Sequence, residues 1–233
     1  MRKIDIRPIG SVNIRKSSRA KRIILKFNHL NEPTVVIPKY APYALGITFA
    51  KQNTSWILIH QKQVPEIQIT NGMLVGKQHQ FKFKSSKQDD VKGRIQNNTI
   101  FITYPEYLTS NDPRVQKIAA NAAVRAIKRE AEVLLPRHLH ELAQKFNYEY
   151  KSVSVKNMRT RWGSCSSLKV INLNIWLIQL SNDLIEYVCC HELAHLRHLH
   201  HKTAFWAELG RMVPDYKLRR KLLKEKAPGL TIT

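Results

Sequence analysis

The pentapeptide His191-Glu192-Leu193-Ala194-His195 constrains the fold more than any other segment of the chain. Two imidazoles four residues apart converge on one point when the segment is helical, because residues i and i+4 share a helix face. Such a helix needs an apolar back. At ~100° per residue, Cys189, Leu193 and Leu196 fall roughly opposite His191, so the spacing predicts a helix with a buried rear and a histidine front. Ser181 or Asn182 caps a helix that starts near Asp183. Glu192 is the residue type that takes a proton from a metal-activated water. The first four letters recur at His140-Glu141-Leu142-Ala143. There Gln144 replaces the second histidine, so that copy reads as an amphipathic helix end without a ligand pair.

A catalytic zinc site takes three protein ligands and keeps one position open. Two histidines compete for the third place. His198 shares the face of His191 and His195 if the helix continues. His201 reaches the same point only if the chain turns. Spacing alone leaves both open.

Elsewhere the chain divides by pattern. Short β-rich runs, Ile23-Ile24-Leu25, Val35-Val36-Ile37 and Phe81-Lys82-Phe83-Lys84, fill the first part, and Asn97-Asn98 marks a hairpin. One helix, over 44–61, interrupts them. A long helix is predicted over 113–146, capped by Asp112 and kinked or split at Pro136. Its buried stripe is Ile118, Ala122, Ile127 and Val133. Two strands around Val153/Val155 and Ile171/Leu173 follow, with Gly163 turning between them, and two short helices end the chain near 204–212 and 217–224. Strands first and helices later define an α+β protein. The expected organisation is an N-terminal β-rich lobe with one helix over 1–110 and a catalytic region over 111–233.

Of the formal charge of +22 on 233 residues, +13 lies in residues 1–100. Such an excess favours polyanionic partners, nucleic acid or nucleotides. Arg15, Lys16, Arg19, Lys21, Arg22 and Lys26 form one cluster, and Lys217, Arg219, Arg220, Lys221, Lys224 and Lys226 another. No apolar run is long enough to span a bilayer, so no membrane partner is expected. Three cysteines, two of them adjacent, make no disulfide framework, which points to a reducing, cytoplasmic setting. No GxxxxGK[ST] run occurs, which argues against a Walker-type NTPase.

Several further segments are familiar in this order: Arg161-Trp162-Gly163-Ser164-Cys165-Ser166, Ile171-Asn172-Leu173-Asn174, Tyr187-Val188, His191 to Leu196, Phe205-Trp206 and Pro214-Asp215-Tyr216. Together they resemble the YgjP-like/SprT-like zinc metallopeptidases, densely over 110–226 and more loosely before. The resemblance implies a zincin-like helical/β core, a Zn2+ cofactor and a protein or peptide substrate. Aligned on Phe205-Trp206, the family's third ligand falls on His201. His200 and Lys202 depart from the family's Asn and Ser on either side. His198 then becomes a residue beside the ligands or in the cleft. Arg161 is a candidate for binding an anionic substrate group or for holding a carboxylate in place. Tyr216, and Tyr187 with it, are candidates for a transition-state hydrogen bond, and Glu208 for orienting a histidine.

The resulting expectation is a zinc metallopeptidase with Glu192 as general base. Two rivals use the same metal chemistry: a nucleotide pyrophosphatase, whose triphosphate the basic half would cradle, and a DNA-associated protease, whose basic lobe would dock nucleic acid.

Overall fold

The structure is a computed structural model that describes residues 2–27, 32–62 and 68–230. The chain forms two compact units, Met1–Ile67 and Gln68–Thr233. Residue 110, the expected boundary, lies inside the second unit, in the segment joining a strand to the long helix.

The first unit is a four-stranded sheet with helices. β1 (Arg2–Ile6) pairs antiparallel with β2 (Gly10–Ser17), β2 parallel with β4 (Pro33–Pro38), and β4 antiparallel with β3 (Ile24–Phe27). Val12, Ile14, Val35 and Ile37 are fully buried and form the core with Ala50 and Ile57. Glycine at 46 allows α1 (Tyr43–Gln52) to lie close on the sheet, since a Cβ there would sit 2.9 Å from Ile14 Cγ2. The single helix expected over 44–61 is two. Asn53 ends α1 by donating from Nδ2 to the Phe49 carbonyl at 2.8 Å, and α2 (Thr54–Lys62) starts anew. Asparagine's short amide competes with the helical ladder in this way.

The second unit opens with another four-stranded sheet, β5 (Leu74–Val75), β6 (His79–Ser86), β8 (Thr99–Pro105) and β7 (Lys92–Gln96) in spatial order. Its pairing sense repeats that of the first sheet: antiparallel, parallel, antiparallel. The β7–β8 hairpin turns at Asn97-Asn98, with Asn97 at φ 50°.

α3 (Pro113–Phe146) is the axis of this unit. Proline opens it, and Asp112 accepts from the Arg114 N–H at 2.9 Å. Its buried stripe contains Ala119, Ala122, Ala123, Ala126 and Ala131, small residues that let the sheet approach closely. Ile127 and Ala122 are buried as expected, Ile118 partly, but Val133 is 69% exposed. Pro136 neither splits nor ends the helix. The carbonyl it leaves unpaired belongs to Glu132, on the exposed side where water can take over. Buried Glu130 fixes the β5–β6 turn to this helix: it accepts from the N–H groups of Lys77 (2.7 Å) and Gln78 (3.1 Å) and bonds His79. Gly76, at φ +69°, leaves the room that this carboxylate fills.

A small three-stranded sheet follows, ordered β10 (Gly163–Cys165), β11 (Val170–Asn174), β9 (Ser152–Lys156). Two strands were expected here, with a turn at Gly163. Gly163 is instead extended and opposite Leu173. A short 3₁₀ helix (Ile175–Gln179) buries Trp176 and leads into α4 (Asn182–Ala194), α5 (Thr203–Met212) and α6 (Tyr216–Lys224). The fold is α+β. Among the described residues, no helix is long and apolar enough to cross a membrane.

Candidate active site

α4 carries the site because its rear is apolar. Leu184, Ile185, Val188, Cys189 and Leu193 are buried, which turns His191 toward the opposite side. The helix ends at Ala194, and the N–H groups of Leu196, Arg197 and His198 close tight turns on Leu193 and Ala194. The continuous helix that would have aligned His198 therefore stops short of it. The reversal brings His201 back instead, just before α5. One ligand atom from each of His191, His195 and His201 lies within 4.8 Å of the others. Among the described residues this is the sole cluster of three or more His, Cys, Asp or Glu side chains arranged to hold a metal.

His198 enters through its backbone. Its carbonyl accepts from His195 Nδ1 at 3.0 Å, which places that imidazole's proton on Nδ1 and leaves Nε2 with a free lone pair. His191 Nε2 and His201 Nε2 face each other at 3.0 Å, and His191 Nδ1 is buried without a partner. Burial, followed by repulsion from His195 and His201, depresses His191 to about 3. His195 and His201 are also lowered, chiefly by burial. Neutral imidazoles are the form that binds a metal ion. Phe205, fully buried, contacts all three rings at centroid distances of 4.6–4.9 Å.

Glu192 is 4% exposed and its Oε2 has no partner. Burial pushes its carboxyl up to about 8, with the Arg161 charge pulling the other way. It rests against β10: a Cβ on Gly163 would sit 2.5 Å from Glu192 Oε1. Glycine is needed at 163 for this close approach, not for a turn. Asn174, fully buried, holds the adjoining loop, donating from Nδ2 to the carbonyls of Met158 and Arg161, both at 2.7 Å. Arg161 itself is exposed.

Trp206 stacks on His201 (5.5 Å, 26°) and donates from Nε1 to the His201 carbonyl at 3.1 Å. Tyr216 stacks in turn on Trp206 (5.6 Å, 17°). Tyr187 is buried, its ring 6.0 Å from His191, and burial raises its hydroxyl to about 12. Glu208 orients no histidine. It binds the Tyr148 hydroxyl, Arg197 (2.8 Å) and Arg211 (3.0 Å), because α5 points it at the end of α3 rather than at the three histidines. Burial keeps the cysteines as thiols: Cys165 rises to about 11, Cys190 to about 12, and Cys189 well above the usual value. The packing roles of Phe205 and Trp206, the clamp at Asn174 and the strand role of Gly163 were not read from the sequence. Their only trace there is that they stand in the familiar segments.

A histidine trio and a buried carboxylate are the residue types that a metal-dependent hydrolase uses. The sequence matches the YgjP-like metallopeptidase domain over residues 21–226, and the chain belongs to that family of hydrolytic enzymes. Among solved structures, it is similar to the metallopeptidase zymogen abylysin of Pyrococcus abyssi, with 19% identity, a TM-score of 0.37, and coverage of 42% of this chain and 100% of that one. The zymogen jannalysin of Methanocaldococcus jannaschii gives 22% identity, a TM-score of 0.33, and coverage of 39% and 95%. No curated protein matches the sequence.

Proposed function

We propose that the chain is a zinc-dependent peptidase in which His191, His195 and His201 hold the metal and Glu192 is the general base. The observation that carries this reading is the convergence of three imidazole nitrogens, with a buried, partnerless carboxylate oxygen on Glu192, the next residue after His191 on the same helix. The donor set fits zinc: three nitrogen ligands, with the tautomer of one set by a backbone carbonyl. Two facing ring nitrogens at 3.0 Å are also explained by a shared ion. Zinc, when bound, acidifies a water and polarises the scissile carbonyl.

The chain's own residues do the rest. Glu192 accepts the water's proton at its free oxygen and delivers it to the departing amine. Its burial strengthens it as a base. Gly163 holds it in place from behind. Arg161 offers a guanidinium to an anionic group of a protein or peptide substrate. Tyr216, on the aromatic stack beside His201, is the candidate donor to the developing oxyanion. Three free cysteines support a reducing compartment, the cytoplasm.

The test is casein hydrolysis by the zinc-loaded chain. Glu192→Gln is expected to retain one zinc per chain and to lose hydrolysis. A variant that cleaves as fast as the parent overturns the mechanism. Nucleoside triphosphates serve as the control: phosphate release from them, with casein left intact, would replace the peptidase reading.

A further inference from the structure

One cation close to the metal cluster has no anionic partner. Arg220 lies on α6 one turn after Tyr216, and both reach Trp206. The Arg220 guanidinium carbon is 4.5 Å from the Trp206 ring centroid. The same indole stacks on His201. A single aromatic ring thus touches both a ligand histidine and a guanidinium. Its neighbour on α6 is differently placed: Arg219 is tied to Glu186 at 2.7 Å and Asp215 at 2.9 Å, and donates to the Asp183 carbonyl. Among the described residues no carboxylate pairs with Arg220, and the residue is exposed.

Stacking and hydrogen bonding use different parts of a guanidinium. A cation over an aromatic face is held by the ring's electron density, a contact that takes none of the hydrogen-bond donors, so the N–H fork of Arg220 stays available to a carboxylate. An extended peptide advances roughly 3.3 Å per residue, so a residue next to the scissile bond brings its carboxylate within range of such a group.

We propose that Arg220 is a specificity-determining residue that binds a substrate carboxylate adjacent to the scissile bond. This deepens the peptidase reading and rests on it. The carboxylate has two sources, an Asp or Glu side chain or the peptide's own C-terminus.

The experiment uses the full zinc-loaded chain and matched fluorogenic peptides that differ beside the cleaved bond: Glu, Gln or Lys, each with a free or amidated C-terminus. The parent is expected to favour a carboxylate by about ten- to a hundredfold in kcat/KM, as a charge-assisted pair provides. Preference for Glu in amidated peptides identifies the side chain; preference for the free terminus identifies the terminus. Arg220→Gln should collapse the ratio, and Arg220→Glu should turn it toward Lys. A second measurement needs no turnover. Labelled Glu and Gln peptides are titrated into zinc-loaded Glu192→Gln, with and without Arg220→Gln, and binding is followed by anisotropy. Melting curves and zinc content confirm that each variant is folded and loaded. Selective binding lost with Arg220 supports the proposal even if no peptide is cut, in which case only the peptidase reading falls. Peptides cut with no carboxylate preference, or cut with a preference that survives Arg220→Gln, overturn the proposal and leave the peptidase reading intact; peptides bound without preference and never cut overturn both.

Discussion

The chain contains the tetrapeptide His-Glu-Leu-Ala twice, at 140–143 in α3 and at 191–194 in α4, and the two copies have different fates. Their apolar halves behave alike: Leu142 and Ala143 are buried, as are Leu193 and Ala194. Their polar halves do not. His140 is exposed, and Glu141, 56% exposed, pairs with Arg137 one turn back at 2.9 Å. Glu192 is buried against Gly163 with a free oxygen, and His191 packs against Phe205. Identical local sequence therefore yields a solvated helix face in one place and a reactive cluster in the other. The difference lies in what the rest of the chain brings up to the helix.

The largest effect should separate the two glutamates. Glu192→Gln is expected to lower kcat/KM for peptide hydrolysis by roughly 10²–10⁴, the range for a general base. Glu141→Gln should change it less than twofold; an equal loss in both would erase the distinction. Next comes the wall behind Glu192. Gly163→Ala places a methyl group 2.5 Å from Oε1, so the carboxylate must shift. A loss of about 10² in rate, with zinc content unchanged by atomic absorption, is expected for a displacement of about 1 Å.

A third glutamate sharpens the contrast through its opposite environment. Hydrogen bonds from Arg211 and Tyr148, and the nearby Arg197, hold Glu208 down to about 2. A carboxylate depressed in the folded state stabilises the protein above its ordinary value of 4.5 and stops doing so as pH falls through about 2. Glu208→Gln should therefore cost about 1–2 kcal/mol in urea unfolding at pH 7, the exposed arginines being screened. The gap between variant and parent should close on acidification from about pH 4.5 toward 2, and a gap constant with pH would refute the assignment. The smallest effect is a null one. Gln144→His completes the second copy of the motif, yet no extra zinc equivalent should bind by equilibrium dialysis, because among the described residues the one group arranged to hold a metal is His191, His195 and His201. Uptake of a second zinc would mean that the pentapeptide suffices.

Much was legible in the sequence where the signal is local. The α4 helix, the two short helices after it and the Asn97-Asn98 hairpin follow from periodicity and turn chemistry, whereas Ser181, at the start of α4, makes no side-chain cap hydrogen bond. Pro136 shows the limit of such reasoning. A proline that breaks a helix in isolation is accommodated in α3 by buried Leu135 and Leu139 on one side and water on the other. Asn53 shows the reverse, a break at a residue without a strong stop signal, made by its own side chain. The third histidine lay between the two cases. Spacing left His198 and His201 open. The end of α4 at Ala194 separates them: it uses His198 as a backbone acceptor and folds His201 in as a side chain.

By itself, the sequence determined the helix that carries His191 and His195 and offered residue types suited to a zinc site, because helical periodicity acts over a few neighbours. Tertiary structure alone decided which Glu is buried, which histidine closes the trio and which arginine lies over Trp206. Burial, desolvation and charge pairing are set by residues far apart in the chain, Gly163 on Glu192, Phe205 on the three imidazoles and Trp206 under Arg220, and no local pattern encodes those approaches.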